Sequence, residues 1–243
     1  MRVELSAFFI ALAAAWTAPA QNVQVYETDG DQSKLLAQRA PLAFSSGPPA
    51  GSPAFTIAVD NSTTYQQMDG VGASLTDSAG WVLWNKVPLA QRNALMQSLF
   101  DPNAGIGIGI LRQPMGATDL SASGNYSYDD VPAGQTDPAL AQFSIAHDQT
   151  YLIPLLQQAL SINPSLKVHA LPWSPPAWMK TSASMNGGSI ITTDFPVLAQ
   201  YFTRFINAYQ QQGIPIYAIS MQNEPLNSTS GYPSAYVDSS DEA

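Results

Sequence analysis

The sequence predicts an α/β fold that corresponds to the N-terminal half of a (β/α)8 TIM barrel, with about four βα units preceded by β-strands of a side domain. From residue 66 onward, short apolar runs typical of buried strands alternate with stretches of helical periodicity, which is the pattern of parallel βα units. The 243 residues match the roughly 250 that a complete barrel requires. Only four strands can be counted, however, because long loops after the second and third strands take up many residues.

The predicted elements follow one another in regular order. Strands are predicted over residues 67–76, 106–115, 166–172 and 214–220. Helices are predicted over residues 79–84, 89–100, 146–162 and 194–211, the last two with an apolar stripe along one face. Thr193 or Asp194 can cap the last helix, and Pro196 suits its first turn.

The first 65 residues are organised differently. A positively charged start, a short apolar stretch and a small-residue site ending at Ala20 predict a secretory signal peptide over residues 1–20. The protein is therefore expected to be secreted. Residues 21–65 are predicted to be the N-terminal β segment of a side domain, in which residues 55–59 alternate like a half-buried strand. Residues 66–243 are predicted to form the incomplete barrel domain.

Composition narrows the class of partner. The chain has 9 basic and 18 acidic residues and a formal net charge of −9, which argues against nucleic acid and is compatible with a neutral sugar. No segment after the leader is long and apolar enough to predict a transmembrane span. N-glycosylation triplets begin at Asn61, Asn125 and Asn227, so N-glycans are expected if the source glycosylates its secreted proteins.

Residue types that carry chemistry follow the ends of all four predicted strands. Because the active site of a parallel barrel lies at the carboxyl ends of its strands, these residues are expected to share one site. In chain order they are Asp77, Arg112 with Asp119, Trp173, and Asn223 with Glu224.

Glu224 is the sharpest candidate. Beyond the leader the chain contains only Glu27, Glu224 and Glu242, so glutamate is not used here as a general surface residue. Pro225 predicts an extended backbone at Glu224, which suits a side chain that projects from a strand end. Such a carboxylate can serve as a general acid and then as a base. The alternative is a solvated loop carboxylate.

The neighbouring candidates each have a structural alternative. Asn223 could hydrogen-bond a sugar 2-hydroxyl or be a turn residue. Trp173 could stack on a sugar face or lie in the core. Arg112 could hold a catalytic carboxylate in place, or pair with Asp119 or Asp77, since a buried guanidinium needs a partner.

No cofactor is predicted. His147 and His169 lack the spacing of metal ligands, so they are given no role and no metal site is expected. The glycine-rich run at 105–109 resembles a dinucleotide fingerprint only superficially. It opens a strand instead of lying between a strand and a helix, so it is excluded.

Taken together, several motifs resemble glycoside hydrolase family 30, the family of glucosylceramidase and microbial β-1,6-glucanases. The resemblance covers about residues 67 to 225, in the order of the family. It is carried by GVGASLTD at 70–77, LRQPMG at 111–116 with Asp119, YSYD at 126–129, FSI at 143–145, PWSPPAWMK at 172–180 and NEP at 223–225.

The resemblance implies retaining hydrolysis of a β-linked glucoside, either glucosylceramide or a β-glucan. Glu224 would be the acid/base and Asn223 its neighbour that binds the 2-hydroxyl. Asp119 and Trp173 would bind the sugar, and Arg112 would support the second carboxylate. Leu120 departs from the aromatic residue that often follows this aspartate in the family.

The family's nucleophilic glutamate belongs to a later strand, and no corresponding segment occurs in this sequence. Glu242 stands in a short polar tail without a strand around it. We therefore expect this chain alone to be inactive and poorly stable. Two alternatives to an enzyme fragment remain open at this stage, namely a non-catalytic carbohydrate-binding remnant and a half barrel completed by another chain.

Overall fold

The computed structural model describes residues 22–44, 51, 55 and 57–240. The predicted signal peptide and Glu242 lie outside the described residues. The chain divides into two compact units, Met1–Tyr65 and Gln66–Ala243. Within the described ranges, none of the helices combines the length and the apolarity that crossing a bilayer demands.

Short antiparallel pairs make up the described part of the first unit. Strand β1 (Asn22–Val23) pairs with β4 (Leu42–Ala43), and β2 (Tyr26–Glu27) pairs with β3 (Ala37–Gln38). Glu27 also forms an ion pair with Lys34, in which Oε1 and Nζ lie 2.8 Å apart.

The strand predicted over residues 55–59 is wrong. Phe55, Ile57 and Val59 lie in no strand, and each is at least 87% exposed. A half-buried strand needs a hydrogen-bonded neighbour and a core on one side of it. No strand of the described chain pairs with this segment, so its apolar alternation buries nothing.

The second unit contains the predicted parallel sheet. Its strands β5, β6, β7 and β8 lie side by side in chain order, and every neighbouring pair is parallel. They span Gly72–Ser74, Ile110–Pro114, Lys167–Leu171 and Ile216–Ile219. The prediction of four parallel strands is confirmed, although all four are shorter than predicted. The two outer strands, β5 and β8, are the shortest because each is paired on one side only.

Four helices connect or flank these strands. They are α1 (Asp77–Asn85), α2 (Leu89–Phe100), α3 (Leu152–Ile162) and α4 (Phe195–Gln211). Thr76 caps α1 by accepting a hydrogen bond from the backbone N of Ala79 at 3.3 Å. Asp194 stands at the N-cap of α4, but its side chain makes no capping bond.

The predicted start of α3 at residue 146 is wrong. A 3-10 turn, Asp148–Thr150, precedes the helix, and Tyr151 breaks the helical backbone with φ −151°. The reason is Pro154. In a continuous helix its ring would clash with the carbonyl of Thr150, whereas a helix that begins at Leu152 places it harmlessly in the first turn.

Half-buried and buried residues alternate along β6 and β7, so one face of the sheet packs in the core and the other faces the candidate site. Leu111, Gln113, Val168 and Ala170 are buried on one face of the sheet. The intervening residues of β6 and β7, among them Arg112 paired with His169, are half-buried and point to the opposite face.

A buried carboxylate ties together the aromatic part of the core. Asp148 accepts hydrogen bonds from the hydroxyls of Tyr128 at 2.6 Å, Tyr209 at 2.5 Å and Tyr126 at 3.3 Å. Burial raises the pKa of Asp148, and the phenol donors oppose that rise. Phe205 packs against both Tyr128 and Tyr209, so the polar cluster is enclosed by rings.

We expect Gly72→Ala to separate β5 from β6. A Cβ at Gly72 would lie 1.7 Å from the carbonyl oxygen of Ile110, which is fixed in the sheet. The variant should lose about 1–3 kcal/mol of unfolding free energy, measured by urea titration. Gly109→Ala is the matched control, because its Cβ would meet nothing nearer than 4.0 Å. Equal stability of the two variants would contradict this close approach.

A second prediction concerns Asp129, which is fully buried and accepts a hydrogen bond from Trp178 Nε1 at 3.1 Å. Burial, together with the charge of Asp137, raises the pKa of Asp129 to about 6, against 3.8 as its ordinary value. The folded state therefore holds this proton more tightly than the unfolded state, so the group lowers stability as pH rises from about 4 to above 6.

Relative to the unsubstituted chain, Asp129→Asn should gain stability over that interval. The difference should grow by about 3 kcal/mol between pH 4 and pH 7. Chemical unfolding at several pH values measures it, and parallel stability curves for the two proteins would rule it out.

Candidate active site

The candidate residues lie at the carboxyl ends of the four strands, and a guanidinium is at the centre of most of them. Arg112 belongs to β6, and its Nη2 donates to Asn223 Oδ1 at 2.5 Å. Its Cζ lies 4.3 Å from the centroid of the Trp173 ring. Burial lowers the pKa of Arg112, while the charges of Asp119 and Glu224 oppose that shift. Two of the five other predicted site residues, Asn223 and Trp173, therefore contact this side chain, and the charges of Asp119 and Glu224 act on it.

The predicted alternatives for Arg112 are resolved in part. The described residues show no ion pair within 4.0 Å between Arg112 and any carboxylate, so direct pairing with Asp77 or with Asp119 is wrong. The guanidinium instead donates to the amide oxygen of Asn223 and stacks on the Trp173 ring, so the nearby carboxylates are not paired with it. Asp119 is exposed at this end of the sheet.

Two loops are joined behind the site. The backbone N of Asn223 donates to the carbonyl of Pro172 at 2.8 Å. Gln222 Nε2 donates to the carbonyl of Trp173 at 2.6 Å and to that of Asn223 at 3.0 Å. The loop after β7 and the loop after β8 are therefore linked by two hydrogen bonds. Trp173 is only 7% exposed, which shows that most of its ring is packed.

Glu224 has an unexpected backbone conformation. Its φ is +46°, in the left-handed region, and the extended backbone predicted from Pro225 is wrong. The backbone N of Asn227 donates to the Glu224 carbonyl at 2.8 Å, and this closed turn overrides the preference of a residue before proline. A left-handed non-glycine residue costs roughly 1–3 kcal/mol, a strain often found at functional sites.

The Glu224 carboxylate is exposed and held at one oxygen. Asn227 Nδ2 donates to Oε2 at 2.7 Å. Together with Pro225 and Leu226, these two residues line an open hollow of about 550 Å³. The carboxylate is thus accessible to a ligand at the same sheet edge as Asn223.

Asp77 is the predicted site residue that the structure places elsewhere. It is buried and accepts hydrogen bonds from the backbone N of Ala122 at 2.7 Å, from His147 Nε2 at 2.8 Å and from the Tyr151 hydroxyl. Burial acts to raise the pKa of Asp77, but these donors outweigh it and hold the pKa below its ordinary value. Asp77 therefore fastens the start of α1 to the loop after β6 and to α3.

Sequence reasoning missed three residues that support the site. His147 was given no role because it lacks the spacing of metal ligands. Its partner Asp77 lies 70 positions away, and no local spacing reveals such a pair. Gln222 was overlooked beside the more familiar Asn223. The third is Lys180, whose burial lowers its pKa to about 8.

Lys180 fixes the loop that carries Trp173. Its Nζ donates to Ser174 Oγ at 3.2 Å, to the carbonyl of Met185 at 2.9 Å and to the carbonyl of Ser234. All three ammonium hydrogens are therefore used within the protein. A lysine inside a Pro- and Trp-rich run, in a chain with only 9 basic residues, was the signal that could have singled it out.

The position of Arg112 can be tested through His169. Burial and then the Arg112 charge lower the pKa of His169, so Arg112→Met should raise it toward its ordinary value. The chain contains two histidines, so ring NMR signals followed against pH resolve both, and His169→Gln assigns them. Arg92→Met, which removes a guanidinium that stacks on Trp84, is the control. An unchanged His169 midpoint in Arg112→Met would contradict the geometry.

Comparison with known proteins identifies the family of this fold and site. The model of the glycosyl hydrolase family 30 TIM-barrel domain matches residues 68–237. An endo-1,6-β-D-glucanase of Neurospora crassa is 34% identical over 241 residues, which are 95% of this chain and 49% of that protein. Lysosomal acid glucosylceramidase of Mus musculus is 34% identical over 177 residues, which are 70% of this chain and 33% of that protein.

A solved structure of an endo-β1,6-glucanase superposes with a TM-score of 0.73 and 30% identity, over 91% of this chain and 46% of that one. The chain thus spans no more than about half the length of these relatives. It matches their N-terminal part in sequence and in the parallel βα architecture. The chain belongs to glycosyl hydrolase family 30.

Proposed function

We propose that the protein is a retaining β-glycosidase in which Glu224 is the general acid/base. The observation that carries this proposal is that residues from three different strands, Arg112, Trp173 and Asn223, meet beside Glu224 at the carboxyl edge of the sheet. Family membership supplies the reaction class. Retaining hydrolysis uses two carboxylates about 5 Å apart, one as acid and then base and the other as nucleophile.

The contact with Arg112 supports the proposed task of Asn223. A guanidinium only donates hydrogen bonds, so its contact with Asn223 fixes the amide with Oδ1 toward Arg112. Asn223 Nδ2 is then oriented as the donor for a sugar 2-hydroxyl, a contact that strengthens as the transition state forms. Arg112 thereby positions Asn223, in addition to its proposed support of the second carboxylate. Asp119 and the exposed edge of Trp173 would contact the same sugar.

Each step of the proposed reaction moves a defined proton. Glu224 would donate its proton to the glycosidic oxygen as the bond to the sugar breaks and the nucleophile bonds to the sugar carbon. Glu224, now ionised, would take a proton from a water molecule as the water oxygen bonds to the sugar carbon and the bond between that carbon and the nucleophile breaks, which releases the sugar. Within described residues 66–240 Glu224 is the only glutamate. By the family pattern, the nucleophile would come from the part of the relatives that this chain does not span.

The proposed substrate is a β-linked glucoside, a β-1,6-glucan or glucosylceramide, in keeping with the names of the relatives. We also propose that the protein is secreted and carries N-glycans at Asn61 and Asn125, both of which are exposed. The division into a side-domain segment at 21–65 and a barrel domain at 66–243 is part of the same proposal. The rival functions are sugar binding without hydrolysis, and a half barrel that a second chain completes.

The test uses the 243-residue chain and a soluble β-1,6-linked gluco-oligosaccharide. We expect saturable binding by titration calorimetry and no release of reducing sugar. Asn223→Ala should weaken binding about tenfold or more, because a hydrogen bond to the sugar is lost at an otherwise polar site. Asn125→Ala removes an exposed asparagine outside the proposed site and is the control.

The outcomes separate the proposals. Absence of binding would contradict a sugar site in this chain. Hydrolysis that Glu224→Gln abolishes would overturn the expectation that the chain alone is inactive, and would support Glu224 as the acid/base. In a preparation that contains both carboxylates, Glu224→Gln should lower kcat by about 10²–10⁴. A preparation that is active only as a hetero-oligomer would favour completion by a second chain.

A further inference from the structure

The side-chain amide of Asn227 is hydrogen-bonded to the carboxylate of Glu224, the candidate acid/base. Asn227 begins one of the three N-glycosylation triplets, and its Nδ2 is the atom that a glycan would modify. That nitrogen carries two hydrogens. One is donated to Glu224 Oε2 at 2.7 Å and the other to the Tyr232 hydroxyl at 3.0 Å. Both donors of the amide are therefore in use.

The backbone reinforces this arrangement. The N–H of Asn227 donates to the Glu224 carbonyl at 2.8 Å, so the same residue holds Glu224 through its main chain and through its carboxylate. The left-handed backbone of Glu224 in this turn is strained. An exposed glutamate otherwise samples many rotamers, and the amide contact restricts them before any ligand arrives.

We propose that Asn227 is a positioning residue that holds the Glu224 carboxylate for catalysis, and that its amide serves this contact instead of carrying a glycan. A glycan on Nδ2 would replace one of the two hydrogens, so Asn227 could not keep both bonds, and its bulk would stand beside Glu224. The inference rests on the proposed function for the role of Glu224. The contact itself does not depend on that function.

The charged and titratable groups around this contact are few. The Arg112 charge interacts with Glu224, and the Tyr232 hydroxyl faces Asn227 from the following loop. Replacing the donor amide with a carboxylate would therefore place two like charges about 2.7 Å apart, the original N–O separation. Two carboxylates at such a distance share a proton, and one of them becomes protonated at higher pH.

The experiment labels glutamate Cδ with ¹³C in the full chain. Only Glu4, Glu27, Glu224 and Glu242 give signals, and Glu224→Gln assigns the one of interest. We expect the pH midpoint of the Glu224 signal to rise by about one pH unit or more in Asn227→Asp compared with the unsubstituted chain. Asn227→Ala removes the donor without adding charge, so it separates the effect of the new carboxylate from that of losing the amide.

Two control variants isolate the contact. Asn125→Asp adds the same carboxylate in another sequence triplet and should leave the Glu224 midpoint unchanged. Tyr232→Phe removes the second partner of the amide and should also leave it unchanged. Equal Glu224 midpoints in the unsubstituted chain, Asn227→Ala and Asn227→Asp would overturn the proposal. No sugar takes part in this measurement, so failure of sugar binding or hydrolysis would be seen separately.

Discussion

The site depends on a single cation placed at the end of a central strand. Arg112 lies on β6 between two hydrogen-bonded neighbours, so its backbone is the best fixed of any candidate residue. From there the guanidinium reaches Asn223 by a hydrogen bond and Trp173 through its ring. Its charge also acts on Asp119 and Glu224. A half-buried cation needs such partners, because desolvation without them would be costly.

The loops around Arg112 are held by polar groups that are themselves buried. Gln222 joins the loops after β7 and β8, and Lys180 fastens the first of these to more distant backbone carbonyls. Asp77 does the same for the start of α1. Each of these polar side chains makes at least one hydrogen bond to a residue 45 or more positions away, and that bond holds two segments together. The exposed groups Asp119 and Glu224 stand on this rigid support.

The turn at Glu224 combines strain with access. Its left-handed backbone is maintained by Asn227, which also holds the carboxylate. The result is a carboxylate that is open to the solvent yet restricted in direction. This arrangement suits a group that must meet a ligand at a fixed distance, since positioning before binding reduces the entropy lost in the reaction.

The sequence by itself determined the type and order of the elements in the second unit and the end of the sheet that carries the chemistry. Apolar runs and helical periodicity are local properties, and parallel strands bring their carboxyl ends to one edge. Helical periodicity placed the start of α3 at residue 146, which was too early because Pro154 disfavours a helix that continues through Thr150. The same local pattern failed at residues 55–59, because alternation cannot show whether a partner strand exists.

Only the tertiary structure decided which candidates meet. It placed Arg112 beside Asn223, 111 positions away. It placed Asp77 away from these residues, in a hydrogen-bonded cluster with His147. It also gave Glu224 a left-handed backbone that Pro225 alone would disfavour. The left-handed backbone depends on the turn that Asn227 closes. The first two outcomes depend on hydrogen bonds between distant segments and on burial, neither of which can be read from the spacing of residues along the chain. Residue types could therefore be predicted, and their partners could not.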